Sequence, residues 1–114
     1  MKLGDYGEEV AANSLQNKGY KVIDRNFRCK LGEIDIVAGK DKVLVFVEVK
    51  TRRGCSYGLP CEAVTLNKLQ HIQRAASVYA LKNRLSDVQQ RIDVIEVLCE
   101  GEKSYIRHME NVYS

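Results

Sequence analysis

Hydrophobic and polar residues change period several times along the chain, and each change marks a predicted element. From Leu3 to Lys18, Val10, Ala11, Ser14, Leu15 and Lys18 recur at helical spacing, and Gly19 supplies a helix stop. Tyr20 to Phe27 reads as a strand centred on Val22 and Ile23. Gly32 to Arg53 predicts a hairpin, with Ile34, Ile36 and Val37 in its first strand and the apolar run Val43 to Val49 in its second. Such a run needs a well-buried strand. Gly39 to Lys42 supplies the turn between them. Thr51 to Cys61, holding two glycines and the sole proline, reads as a loop. A second helix is predicted from Glu62 to Leu85, with Leu66, Leu69, Ile72, Ala76, Tyr79 and Leu81 as its apolar stripe. Arg91 to Cys99 alternates as a strand, and Ser104 to Met109 is a candidate last one. The order α, β, β, β, α, β predicts an α/β or α+β layered domain.

Three charged residues interrupt the apolar hairpin: Asp35, Glu48 and Lys50. A charge buried in a strand costs several kcal/mol unless something pairs it, so their presence asks for a reason. Glu48 and Lys50 are two apart and share a face. With Gly39 to Lys42 as the turn, Ala38 pairs with Val43, and Asp35 falls opposite Phe46 beside Glu48. Val43, Val45, Val47 and Val49 then fill the other face. The convergence is conditional on register, because a slip of one residue turns Asp35 away.

Composition narrows the class. The 114 residues, 45% hydrophobic and 29% charged, suit one globular domain spanning 1–114. No apolar run approaches membrane-spanning length and the start lacks a signal-peptide core, so a cytoplasmic location and no membrane partner are expected. The net charge of +3 is uneven: between Lys50 and Arg91 eight Lys or Arg face only Glu62 and Asp87. That basic middle suits a phosphate-backbone binder and equally a solvated helix face. Cys29, Cys55, Cys61 and Cys99 have no metal-knuckle spacing and read as reduced thiols, with a Cys55–Cys61 pair open on oxidation.

Two carboxylates and a lysine on one sheet face suit a divalent-metal site for phosphodiester cleavage, with Mg²⁺ (or Mn²⁺) held by hard oxygen ligands. An ordinary ion pair at a strand end is the alternative reading of Glu48 and Lys50. Zinc is disfavoured without histidine or cysteine ligands, and the absence of a P-loop sequence gives no support for a nucleotide cofactor. Glu8 and Glu9 near the first helix start either favour the helix dipole or supply one more inward acid. Arg52 and Arg53 are the best-placed candidates to grip phosphate, since guanidinium groups match its oxygens in pairs. Lys68 and Arg74 on the second helix add to the DNA-binding candidates, and His71 reads as a surface residue. Asp93 and Glu96 read as an exposed strand edge.

The blocks Gly4-Asp-Tyr-Gly7-Glu8-Glu9, Gly32-Glu33-Ile34-Asp35-Ile36-Val37 and Val45-Phe46-Val47-Glu48-Val49-Lys50-Thr51-Arg52 resemble the YraN family of small bacterial proteins. Asp35 followed by Glu48-Val49-Lys50 is similar to the core of the PD-(D/E)-x-K nuclease superfamily, with Ile34 where proline is expected. The resemblance implies a restriction-endonuclease-like core of α-β-β-β-α-β order, a mixed sheet flanked by helices, similar to archaeal Holliday-junction resolvases. It implies Glu8, Asp35 and Glu48 as metal ligands, with Asp35, Glu48 and Lys50 catalytic. The expected activity is a metal-dependent DNA endonuclease acting on DNA, branched DNA included, and symmetric junction cleavage would require a homodimer. The alternative is a non-catalytic nucleic-acid-binding or adaptor protein on the same scaffold.

Overall fold

The computed structural model describes residues 2–53 and 65–113. Five strands form one mixed sheet in the order β1-β2-β3-β4-β5. Helix α1 (Leu3–Asn17) precedes β1 (Lys21–Cys29), β2 (Gly32–Lys40) and β3 (Val43–Arg53). Helix α2 (Leu66–Lys82) then leads to β4 (Gln89–Glu100) and β5 (Lys103–Met109). The expected α-β-β-β-α-β order is the observed one, extended by β5. Neighbouring strands are antiparallel except β3 and β4, which run parallel because α2 carries the chain back across the sheet.

Two apolar clusters hold the layers together. On one face Ala11, Ala12 and Leu15 of α1 pack on Ile36, Ala38, Val45, Val47, Val49, Ile95 and Val97. On the other, Ile72, Ala75, Ala76 and Tyr79 of α2 cover Ile34, Val37, Phe46 and Ile92. Each cluster comes from strict alternation along β3, so the apolar run is buried on both sides. The α2 stripe is narrower than expected: Leu66 and Leu81, 65% and 73% exposed, lie outside it. Thr65 caps α2 by accepting the Lys68 N–H, so the described helix begins at Leu66; the expected start at Glu62 lies outside the described residues.

The hairpin register differs from expectation. Ala38 pairs with Val45, and Lys40 with Val43, so the turn is only Asp41-Lys42. Both take left-handed backbone, φ 51° and 66°, as a two-residue hairpin turn with matching twist requires. The shift is two residues, which preserves side-chain parity; a shift of one would have reversed the site. Thr51 to Arg53 extend β3 instead of opening a loop, paired with Val97 to Cys99. Gly54 to Cys61, including Cys55, and Glu62 lie outside the described residues.

The expected exposed edge at Asp93 and Glu96 is overturned. Strand β5 pairs outside β4, so both acids are interior, Asp93 with no exposure and Glu96 with 6%. Among the described residues no helix is long and apolar enough to cross a membrane.

Candidate functional site

Asp35 occupies a break in β2. Ile34 and Ile36 are two residues apart, yet the first packs under α2 and the second under α1. A regular strand would put them on one face, so alternation fails at Asp35. On the neighbouring strand Asn26, φ 55°, lies between the pairs Arg25–Ile36 and Phe27–Ile34, facing this break. Paired residues of β2 and β3 run from Lys40–Val43 to Ile36–Val47. Beyond that point the Val49 N–H donates to Asp35 Oδ2 at 2.8 Å. The side chain thus takes a backbone donor and is fixed at the mouth of the two strands.

Glu48 stands beside it on β3, 4% exposed. Its Oε1 receives two ammonium groups, Lys50 Nζ at 3.4 Å and Lys68 Nζ of α2 at 3.8 Å. Its Oε2 is buried with no hydrogen-bond partner. Burial, and then the charge of Asp35, push the Glu48 carboxyl up to about 7 against the opposing pull of Lys68 and Lys50. Asp35 is also raised, chiefly by burial, although the Val49 N–H opposes the shift. Burial thus disfavours the charged form of both carboxyls.

Glu8 approaches from α1. It lies in the second turn of a helix that begins at Leu3, beyond the first-turn stretch where the dipole acts, and Asp5 is the first-turn acid. Its neighbour Glu9 is exposed and pairs with Arg25 at 3.1 Å. Glu8 is half-buried with Oε1 lacking a partner, and its acidity is weakened by burial first and by Asp35 next. Gly7 makes the approach possible: a Cβ there would collide with Thr51 Oγ1, one residue beyond Lys50. The helix could not lie this close to β3 with a larger residue at that position.

Asp35, Glu48 and Lys50 are therefore brought together and Glu8 lies near Asp35. Among the described residues, however, the acid trio does not form a group with all ligand atoms within 4.8 Å. Two buried oxygens without donors, on Glu8 and Glu48, fit a site that takes a hard cation. Arg52 follows Glu48 and Lys50 on the same strand face, whereas alternation sends Arg53 to the opposite one. Lys68 reaches Glu48 directly, while Arg74 is exposed farther along α2, as is His71.

A second buried acid cluster was not visible in the sequence. Asp93 Oδ1 accepts from Arg91 Nε and the Asn111 N–H, both at 2.9 Å; Oδ2 accepts from Arg91 Nη2 at 3.0 Å and contacts His108 Nε2 at 2.7 Å. Lys18 Nζ lies 3.0 Å from His108 Nδ1 and donates there, so Nε2–H donates to Asp93. Burial raises the Asp93 carboxyl, but the His108, Arg91 and Asn111 hydrogen bonds outweigh it and bring it down to about 2. Asp93, His108 and Glu110 place ligand atoms within 4.8 Å, a spacing that could hold a metal. Yet Arg91, which cannot give up its proton, already fills the Asp93 lone pairs, so a cation fits this cluster poorly. Glu96 is likewise paired, with Arg107 of β5.

Fold and geometry define a mixed-sheet α+β protein with an unsatisfied acid–acid–lysine cluster where β2 and β3 diverge. The sequence profile of Uncharacterised protein family UPF0102 matches residues 7–97, and the chain belongs to that family, as its motifs suggested. A UPF0102 protein of Alkaliphilus metalliredigens is 47% identical over 97% of this chain and 96% of its own length. One from Pelobacter propionicus is 49% identical over 96% of this chain and 81% of its own. Among solved structures, Pyrococcus furiosus SfsA in complex with Ca²⁺ aligns with a TM-score of 0.40 and 15% identity. The alignment covers 95% of this chain but only 62% of that one, a likeness too distant to carry function.

Proposed function

We propose that this protein is a metal-dependent DNA endonuclease, with branched DNA as the substrate that most needs its shape-reading mode of recognition. The observation that carries the reading is Glu48: a buried carboxylate with two lysines on one oxygen and nothing on the other. An ordinary ion pair would leave no reason to bury Asp35 beside it at the cost of a raised pKa.

Asp35 and Glu48, assisted by Glu8, would hold Mg²⁺ or Mn²⁺. The bound ion would polarise a phosphodiester and make a bound water acidic enough to attack it. Carboxylates act as metal ligands only when ionised, so the raised pKa values of both acids would make metal binding strengthen as pH rises. Lys50, 3.4 Å from Glu48, has its ammonium at the edge of the carboxylate pair, where it would orient the nucleophile or neutralise charge growing on phosphate oxygens. Arg52, on the same face, would hold the adjoining backbone. Backbone contacts read no bases, so selectivity would rest on DNA shape. Paired cuts across a junction would come from a symmetric homodimer.

The test is to incubate the protein with Mg²⁺ or Mn²⁺ and a labelled four-way junction, beside duplex and single-stranded DNA. Cleavage that requires the metal and disappears in both Asp35→Ala and Lys50→Ala is the expected result. Salt-sensitive binding without cleavage of any substrate would instead favour a DNA-binding adaptor on this scaffold.

A further inference from the structure

A basic cleft adjoins the acid cluster, and Lys68 belongs to both. One wall is the β1–β2 connection, where Arg28 and Cys29 end the strand and Lys30 and Leu31 form the turn; the other is the start of α2, with Lys68 and His71. The walls are built to stand close. A Cβ on Gly32 would lie 2.8 Å from the His71 carbonyl oxygen, so only glycine lets the turn pack against the helix there.

Among the described residues three permanent cations, Arg28, Lys30 and Lys68, line this space with Glu33 as the one acid. Glu33 pairs with Arg28 at 3.6 Å, but both side chains are more than half exposed, and such a pair yields readily to a better anion. Among the described residues no Phe, Tyr or Trp lines the cleft, so it offers bases no stacking platform beyond the His71 ring. Its chemistry suits phosphate. Lys68 Nζ, 3.8 Å from Glu48, marks the point where this positive surface meets the acids.

We infer that the cleft between the β1–β2 turn and α2 is a subsite for the DNA backbone next to the phosphate under attack, with Arg28 and Lys30 as its outer grips. The inference rests on the nuclease reading and adds the path of the strand: away from β3, over the start of α2, towards the β1–β2 turn. Arg28 and Lys30 are positioning residues, distant from the reacting atoms and needed to hold the strand in register.

Binding of a fluorescein-labelled DNA duplex would be followed by anisotropy across a salt series for the wild type, Arg28→Glu/Lys30→Glu and Lys21→Glu. Lys21 is an exposed lysine at the far end of β1, paired with Gly39, and serves as a charge reversal away from the cleft. The double variant is expected to bind at least tenfold more weakly, with a salt slope shallower by about two, one for each lost phosphate contact. Lys21→Glu should stay close to wild type, and an unchanged urea midpoint would show the double variant folded. Wild-type binding that the double variant retains, or that Lys21→Glu weakens as much, would overturn the subsite and leave the nuclease reading standing. A wild type that binds no DNA at any salt would overturn both.

Discussion

Glu48 and Asp93 lie on adjacent strands, one register step apart, since Val47 pairs with Asp93 and Glu48 with Val94. Both are sealed from water, and their surroundings treat them in opposite ways. Asp93 receives Arg91, His108 and a backbone N–H, and is held ionised. Glu48 has an acid for a neighbour and one oxygen without a donor, and its carboxyl is pushed up to about 7. Burial alone therefore says little about role. A buried acid whose lone pairs are filled ties the structure together, as Asp93 ties the segment after β5 to β4. A buried acid left wanting is a place where the fold has kept a charge for something else to bind.

The sharpest break of this comparison is catalytic. Asp35→Ala or Lys50→Ala should lower metal-dependent cleavage by at least about a hundredfold, the scale of losing a transition-state charge partner. Asp93→Asn should leave the rate per folded molecule within a few-fold, measured in single turnover on the same labelled junction. Equal losses from both clusters would erase the distinction.

Stability should show the reverse order. Asp93→Ala strands Arg91 without its carboxylate and is expected to cost about 3–5 kcal/mol, read from the urea midpoint. Glu48→Gln removes a disfavoured charge and should be neutral or stabilising by on the order of 1–2 kcal/mol at pH 8.

The pH dependence sharpens the contrast. Asp93 has a lowered folded pKa of about 2 against an ordinary 3.8. Its contribution of about 2 kcal/mol is full above pH 4 and is lost as pH falls through 2. Glu48 is raised to about 7 from 4.5, so the stability linked to its protonation is full below 4.5 and lost as pH rises through 7. That loss is on the order of 3 kcal/mol. Urea melts of Glu48→Gln should flatten the neutral limb alone, whereas Asp93→Asn should flatten the acid limb.

Divalent ions give a smaller shift. Mg²⁺ at a hundred times its dissociation constant should stabilise the wild type by about 2.7 kcal/mol, an effect absent in Asp35→Ala and retained in His108→Ala. Thermal melts with and without chelator measure it. Retention in Asp35→Ala with loss in His108→Ala would move the metal to the other cluster. The least effect concerns the two arginines after the site: Arg52→Ala should weaken DNA binding several-fold more than Arg53→Ala, because only Arg52 shares the Glu48 face.

Much of this was readable in advance, for local reasons. The helical spacing through Leu15, the apolar run of β3 and the Glu48–Lys50 pairing all follow from residues a few positions apart. The meeting of Asp35 with Glu48 was readable only through register, and the turn used to infer it was two residues too long. The inference survived because strand parity repeats every two residues. Leu66 and Leu81 fit the helical period of α2 yet stay exposed, since the sheet beneath covers only a narrower stripe.

By itself the sequence determined the element order, the two-sided burial of β3 and the face shared by Glu48, Lys50 and Arg52, because each depends on backbone periods of 3.6 or 2. Tertiary structure decided which acids are satisfied. His108 and the Asn111 N–H meet Asp93 only because β5 and the segment after it fold back onto β4, and Lys68 meets Glu48 only because α2 crosses the sheet. No local pattern carries those contacts, and they separate the acid that holds the fold together from the one left free to bind.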